Sequence, residues 1–224
     1  ALGFAQCGGD VSICARDPKA LEETRAEIAK LGRKAHAMSA DLSKGDAVRG
    51  YVKAAAAALG GVDFLVNNAS GFGSSDDDKG WGANFTVDMM AIVHATQEAL
   101  PALKASRGSV LNISSIAAHH PSARQPPYGA MKAAVIHYTT TQAAMYARDK
   151  VRVNCIAPGS IDFPGGVWDR RKTDNPALYN GTLQSIPFGR MGTPEEIANV
   201  ALFLASPLAS WVTGQTIAVA GGQG

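Results

Sequence analysis

Gly108-Ser109-Val110-Leu111-Asn112-Ile113-Ser114-Ser115, twelve intervening residues, and Tyr128-Gly129-Ala130-Met131-Lys132 form the most informative stretch of this chain. The first part is apolar and β-branched and ends in two serines. That predicts a buried strand carrying hydroxyls at its carboxyl end. Residues 130–147 contain good helix formers and neither Gly nor Pro, so Tyr128 opens a helix. Lys132 follows one turn later on the same helix face.

That spacing has a chemical use. A free phenol titrates near pH ~10 and is a poor proton donor or acceptor at neutrality. An ammonium one turn away favours the phenolate. A phenol so tuned serves as a general acid or base at a carbonyl or alcohol oxygen. Ser115, at the strand end, can hydrogen-bond that same oxygen. An isolated Tyr-x-x-x-Lys is common and carries no meaning without such context.

Composition sets the outer bounds. The chain has 224 residues, 46% hydrophobic and 18% charged. That suits one globular domain with a substantial core. Net charge is +2 with no sustained basic stripe, which argues against a nucleic-acid partner. No apolar run approaches the ~18–20 residues of a membrane span. Cys7, Cys14 and Cys155 lie in apolar contexts without metal-ligand spacing. They read as buried free thiols of a cytoplasmic protein, and no metal site is expected.

Along the chain, strands and helices alternate. Residues 1–7 read as a helix end closed by Gly8-Gly9. Residues 10–15, 34–40, 62–66, 151–157 and 216–219 read as strands. Residues 19–31 form an amphipathic helix ended by Gly32. Another helix runs to Leu59, capped by Ser43 and stopped by Gly60-Gly61. Residues 81–105 give a longer one. Thr193-Pro194-Glu195-Glu196 starts a helix whose Ile197, Val200, Ala201 and Leu204 face the core. This order predicts a single α/β domain: a Rossmann-like, doubly wound, mostly parallel sheet flanked by helices.

The strand, the paired serines, the thirteen-residue offset from Ser115 to Tyr128 and the following helix resemble the short-chain dehydrogenase/reductase family. The resemblance extends through Asp41-Leu42, Asn67-Asn68-Ala69 and Val153-Asn154 with Pro158-Gly159, so it covers nearly the whole chain. The overall look is similar to the family's 3-oxoacyl-carrier-protein reductases. Such a resemblance implies hydride transfer between a nicotinamide cofactor and a carbonyl or secondary alcohol. Tyr128 would be the general acid, Lys132 would tune it and bind the nicotinamide ribose, and Ser115 would position the carbonyl. Asp41 and Leu42 would contact the adenine, and Asn68 and Ala69 the adenosine ribose. Pro158 and Gly159 would line the nicotinamide, with Ile161 offering a backbone contact to its carboxamide. Residues 160–193 would hold the substrate, with Phe163 and Trp168 shaping an apolar pocket. In the loop after Ser115, either His119 or His120 could face the substrate, or be solvent-exposed as loop histidines commonly are. A homotetramer or homodimer is implied.

Arg16 follows the strand at residues 10–15, where such a fold reads the adenosine ribose. An arginine there favours a 2′-phosphate, so NADP(H) is expected. Asp17 beside it keeps NAD(H) open. Arg170-Arg171-Lys172 is either a solvated helix face or a contact for an anionic substrate handle.

Four features depart from the family pattern. Asp88 stands where an asparagine usually holds the lysine through a water, and its charge would offset part of the lysine's effect on Tyr128. Phe163 replaces a hydroxyl donor, and Ala220 replaces an aspartate. The family's Thr-Gly-x-x-x-Gly-x-Gly loop and the strand before it are not in the sequence. That strand would lie between those at residues 10–15 and 62–66. The expectation is a working protein with roughly twenty further residues ahead of Ala1. These departures keep a second reading open, a non-catalytic binding or oligomer subunit on the same fold.

Overall fold

A computed structural model describes residues 1–224. A short helix α1 (Leu2–Gln6) leads into β1 (Val11–Ala15), α2 (Pro18–Lys30), β2 (Ala35–Ser39), α3 (Gly45–Leu59) and β3 (Phe64–Asn67). Next come α4 (Asp78–Asn84), a π-helical stretch (Phe85–Met90), α5 (Ala91–Ser106) and β4 (Ser109–Ile113). The second half runs α6 (Pro126–Tyr146), β5 (Arg152–Pro158), α7 (Val167–Asp174), α8 (Pro176–Gln184), α9 (Pro194–Ala205) and β6 (Thr216–Val219). The expected α/β architecture is present, and every strand pairing is parallel.

The strands form two sheets. One orders β3-β4-β5-β6 and the other pairs β1 with β2, so no ladder joins β1 to β3. β4 and β5 form the floor of the core: Val110, Leu111, Val153, Cys155 and Ile156 are at most 1% exposed. Strands covered on both faces read as continuous apolar runs, as these do. Val110 and Val153 pack with Val48, Val52, Ala95 and Leu103 on one side, and Leu111 and Ile156 with Ala201 and Leu204 on the other. Truncating Leu204 to Ala would cost ~2–5 kcal/mol on the scale of such deletions.

Local signals account for most boundaries. Asp17 caps α2 by accepting from the Lys19 N–H, with Pro18 at its first position. Thr193 and Glu196 form a reciprocal capping box at α9. Two expectations need correction. Ser43 does not cap α3, because its N–H and hydroxyl are both given to Asp41 and the cap position is Lys44. Cys7 is exposed and Cys14 half-buried, so only Cys155 is a core thiol, its ionisation pushed up to about 11 by burial.

Candidate active site

The site is assembled at the carboxyl end of β4, where α6 crosses it. Ser114, the first residue past the strand, is buried and donates its hydroxyl to the Lys132 carbonyl at 2.7 Å. It faces the helix and holds β4 to α6. Its neighbour Ser115 turns the other way, half-buried, and its Oγ accepts from the Ala117 N–H at 3.2 Å. Tyr128 lies in the first turn of α6, half-buried. Gly129 beside it lets the helix sit against the turn at residues 116–118: a Cβ there would come within 3.2 Å of the Ala117 carbonyl.

Lys132 is the electrostatic centre. Its side chain is 3% exposed, and its ammonium lies 5.5 Å from the Tyr128 ring centroid. It donates to the Ile113 carbonyl at 3.0 Å and lies 2.9 Å from Oδ1 of Asp88, which is fully buried. That second contact is an ion pair without hydrogen-bond alignment. The Asp88 Oδ2 accepts instead from the Gly71 N–H at 2.8 Å. Asp88 therefore contacts the lysine directly, with no water between them. The π-helical stretch at Phe85–Met90 contains it. Such bulges recur at functional sites.

Below the site runs a ladder of buried amides and hydroxyls. The Asn67 side-chain amide donates to Asn112 Oδ1 at 2.9 Å, and the Asn112 Nδ2 donates to Thr139 Oγ1 and Gln142 Oε1 at 3.0 Å each. It fixes β3 and β4 against α6. Asn68 and Ala69, just beyond, are exposed.

The remaining expected residues fall at the same sheet ends. Gly159 donates its N–H to the Val219 carbonyl at 3.0 Å, and a Cβ there would strike Ala220 at 2.8 Å. Ile161 bridges Gly192, using the Ser160 carbonyl and the Asp162 N–H. In a parallel bridge this leaves the Ile161 N–H facing the other way. Pro158 is half-buried between them. At the distant end, Arg16 is exposed after β1 and its carbonyl accepts from Ser39 at 3.2 Å. The Ser43 hydroxyl and then its N–H hold the Asp41 carboxyl below its usual range, with Lys44 and Arg16 charges adding to them. Leu42 is half-buried and packs against the core.

On the substrate side, Phe163 is 46% exposed and Trp168 half-buried. His119 is exposed, edge-on to His120. Lys172 is not a free cation for an anionic handle: it pairs with Asp162 at 2.7 Å and Asp169 at 3.5 Å. The sequence reading passed over Phe72, whose ring lies nearly parallel to that of Tyr128 with centroids 6.1 Å apart. An aromatic between two glycines, Gly71 and Gly73, was the available signal.

Ser115, Tyr128 and Lys132 thus lie where β4, the turn after it and α6 meet at the carboxyl edge of a parallel α/β sheet. A family model described as "Enoyl-(Acyl carrier protein) reductase" matches residues 1–223. The 3-oxoacyl-acyl-carrier-protein reductase FabG of Chlamydia muridarum is 35% identical over 98% of this chain and 89% of its own. The structure of 7α-hydroxysteroid dehydrogenase complexed with NADH and 7-oxo glycochenodeoxycholic acid superposes with a TM-score of 0.92 at 32% identity, covering 100% of this chain and 88% of that one. The L-sorbose reductase of Gluconobacter frateurii, complexed with NADPH and L-sorbose, gives 0.89 at 30% identity over 99% and 89%. The chain belongs to the short-chain dehydrogenase/reductase family. It is a nicotinamide-dependent oxidoreductase acting on CH–OH and C=O groups.

Proposed function

We propose that Tyr128, Lys132 and Ser115 carry out reversible reduction of a ketone or 3-oxoacyl carbonyl, with NADP(H) as the preferred nucleotide. The observation that carries this reading is the buried Lys132 ammonium 5.5 Å from the Tyr128 ring.

The residues present fit a dinucleotide. Arg16 is exposed where a 2′-phosphate would lie, Asn68 and Ala69 are free of packing, and the Ile161 N–H faces away from its bridge. Asp41 and the Leu42 backbone would border the adenine, and Pro158 and Gly159 the nicotinamide. When bound, the nicotinamide supplies or accepts the hydride. Ser115 holds the substrate oxygen by a hydrogen bond from its hydroxyl. Tyr128 gives its phenolic proton to that oxygen as the carbon is reduced, and takes it back in the reverse direction. Lys132 stabilises the phenolate left behind and would hold the ribose. Phe163, Trp168 and His119 would border the substrate, within the substrate-binding region at residues 160–193.

NAD(H) is the second reading, favoured by Asp17 next to Arg16 and by the NADH-bound relative. We further propose a homotetramer or homodimer, because Trp211 (98% exposed) and Leu208 (83%) leave apolar surface next to α9. Its unpaired cysteines suit the cytoplasm, and no helix is long and apolar enough to cross a membrane. The test is oxidation of NADPH and NADH with a ketone panel for wild type and Tyr128→Phe. Loss of at least 100-fold is expected. Equal rates would remove the reaction from this site.

A further inference from the structure

The loop after β3 is gripped at two points by fully buried side chains. Asp88 accepts from the Gly71 N–H at 2.8 Å. Asn84 accepts from the Gly73 N–H at 3.1 Å and donates to the Gly73 carbonyl at 2.7 Å. Both glycines press on helix backbone: a Cβ at Gly71 would lie 2.3 Å from the Ala83 carbonyl oxygen, and one at Gly73 2.2 Å from that of Gly80. The chain between them has no freedom to shift. Phe72 is thereby held at φ 49, in the left-handed region. That conformation is costly for a bulky side chain.

Folding gains little from this arrangement. The Phe72 side chain is 66% exposed, and glycine would adopt the same backbone without strain. What the arrangement does achieve is to hold an aromatic ring within 10° of parallel to the Tyr128 ring, at 6.1 Å. Strain kept at a site of chemistry signals a function there.

We propose that Phe72 is a specificity-determining residue: its exposed ring is the apolar wall against which the substituent beside the reacting carbonyl packs. Asp88 and Asn84 are positioning residues for that wall. The substrate class it selects is carbonyl compounds, or their alcohols, with an aromatic or branched apolar group on the reacting carbon. A polyhydroxylated substituent placed there would lose water partners without gaining protein ones. The proposal rests on the reading of Tyr128 as the reacting phenol.

The test compares kcat/KM for two ketones differing in one substituent, a phenyl ring or a dihydroxyethyl group, in wild type, Phe72→Gly and Tyr128→Phe, with NADPH and NADH. Wild type should prefer the phenyl ketone. Phe72→Gly should lower that preference about tenfold, with a thermal midpoint equal to or above that of wild type. A preference unchanged within twofold, or a midpoint several degrees lower, would overturn the role of Phe72. If Tyr128→Phe abolishes turnover while the preference ignores position 72, only the wall is wrong. If wild type turns over neither ketone, or Tyr128→Phe matches it, the reading of the site fails and the wall with it.

Discussion

The Asp88 carboxylate and the Lys132 ammonium lie 2.9 Å apart with 0% and 3% of their side chains exposed. Neither charge can turn to water, so each depends on the other. Removing one partner of such a pair typically costs ~3–5 kcal/mol because the survivor is left buried and uncompensated. Asp88→Ala should therefore lose about that much in urea unfolding. Asp88→Asn keeps an acceptor for the Gly71 N–H and should lose clearly less. Both variants remove the charge, so equal losses would mean that the uncompensated lysine carries the whole cost and the Gly71 contact none of it.

Ser114 and Ser115 are adjacent but face opposite ways, and their substitutions should separate. Ser114→Ala deletes a buried 2.7 Å bond to the Lys132 carbonyl. It should cost ~0.5–1.5 kcal/mol, the net worth of one hydrogen bond, because the helix still supplies that carbonyl with its own N–H partner. Ser115→Ala loses the half-buried 3.2 Å acceptor for the Ala117 N–H and should cost only ~0.5–1 kcal/mol, while kcat/KM falls far more. Thermal melts beside initial rates would check both.

Arg16 should set the nucleotide preference. Arg16→Asp removes a cation and places an anion at the end of β1, next to Asp41. The ratio of kcat/KM for NADPH over NADH should fall by at least tenfold, since one charge-assisted contact is worth ~1.5–3 kcal/mol. Titrations with both nucleotides would show it independently of turnover.

Acid should loosen the start of α9. Glu196 pairs with Arg190 at 2.6 Å and accepts from the Thr193 N–H at 2.9 Å. The Arg190 guanidinium, and then that N–H, hold its carboxyl down to about 2. A depressed carboxyl adds stability above its unfolded value and loses it as pH falls through the folded one. Stability should thus drop between the ordinary glutamate range and about pH 2. Glu196→Gln should flatten that part of the pH–stability curve and lower the plateau above it.

The parts legible in the sequence were those fixed by short-range rules. Tyr128 and Lys132 are one helical turn apart wherever that helix goes, and β4 and β5 announce themselves by unbroken apolar runs. Thr193 and Glu196 cap a helix by spacing alone. What escaped depended on which partner each side chain takes once the chain is folded. Ser43 has the chemistry of a cap, but Asp41 two residues earlier takes both its donors. Lys172 looked free until Asp162, ten residues away, was brought beside it. Phe72 meets Tyr128 across 56 positions. Nothing local to Gly71-Phe72-Gly73 says which ring it will face.

The amide and hydroxyl ladder beneath the site has a mechanical consequence. Asn112, Thr139 and Gln142 are fully buried, and their bonds tie β4 to α6 side chain to side chain, with Asn67 adding β3. A strand and a helix joined that way should open only together. In hydrogen exchange, the amides of Ser109–Ile113 and of the middle of α6 should therefore lose protection at one common rate, and Asn112→Ala should uncouple them, so that the phenol and the strand end it faces no longer keep a fixed spacing.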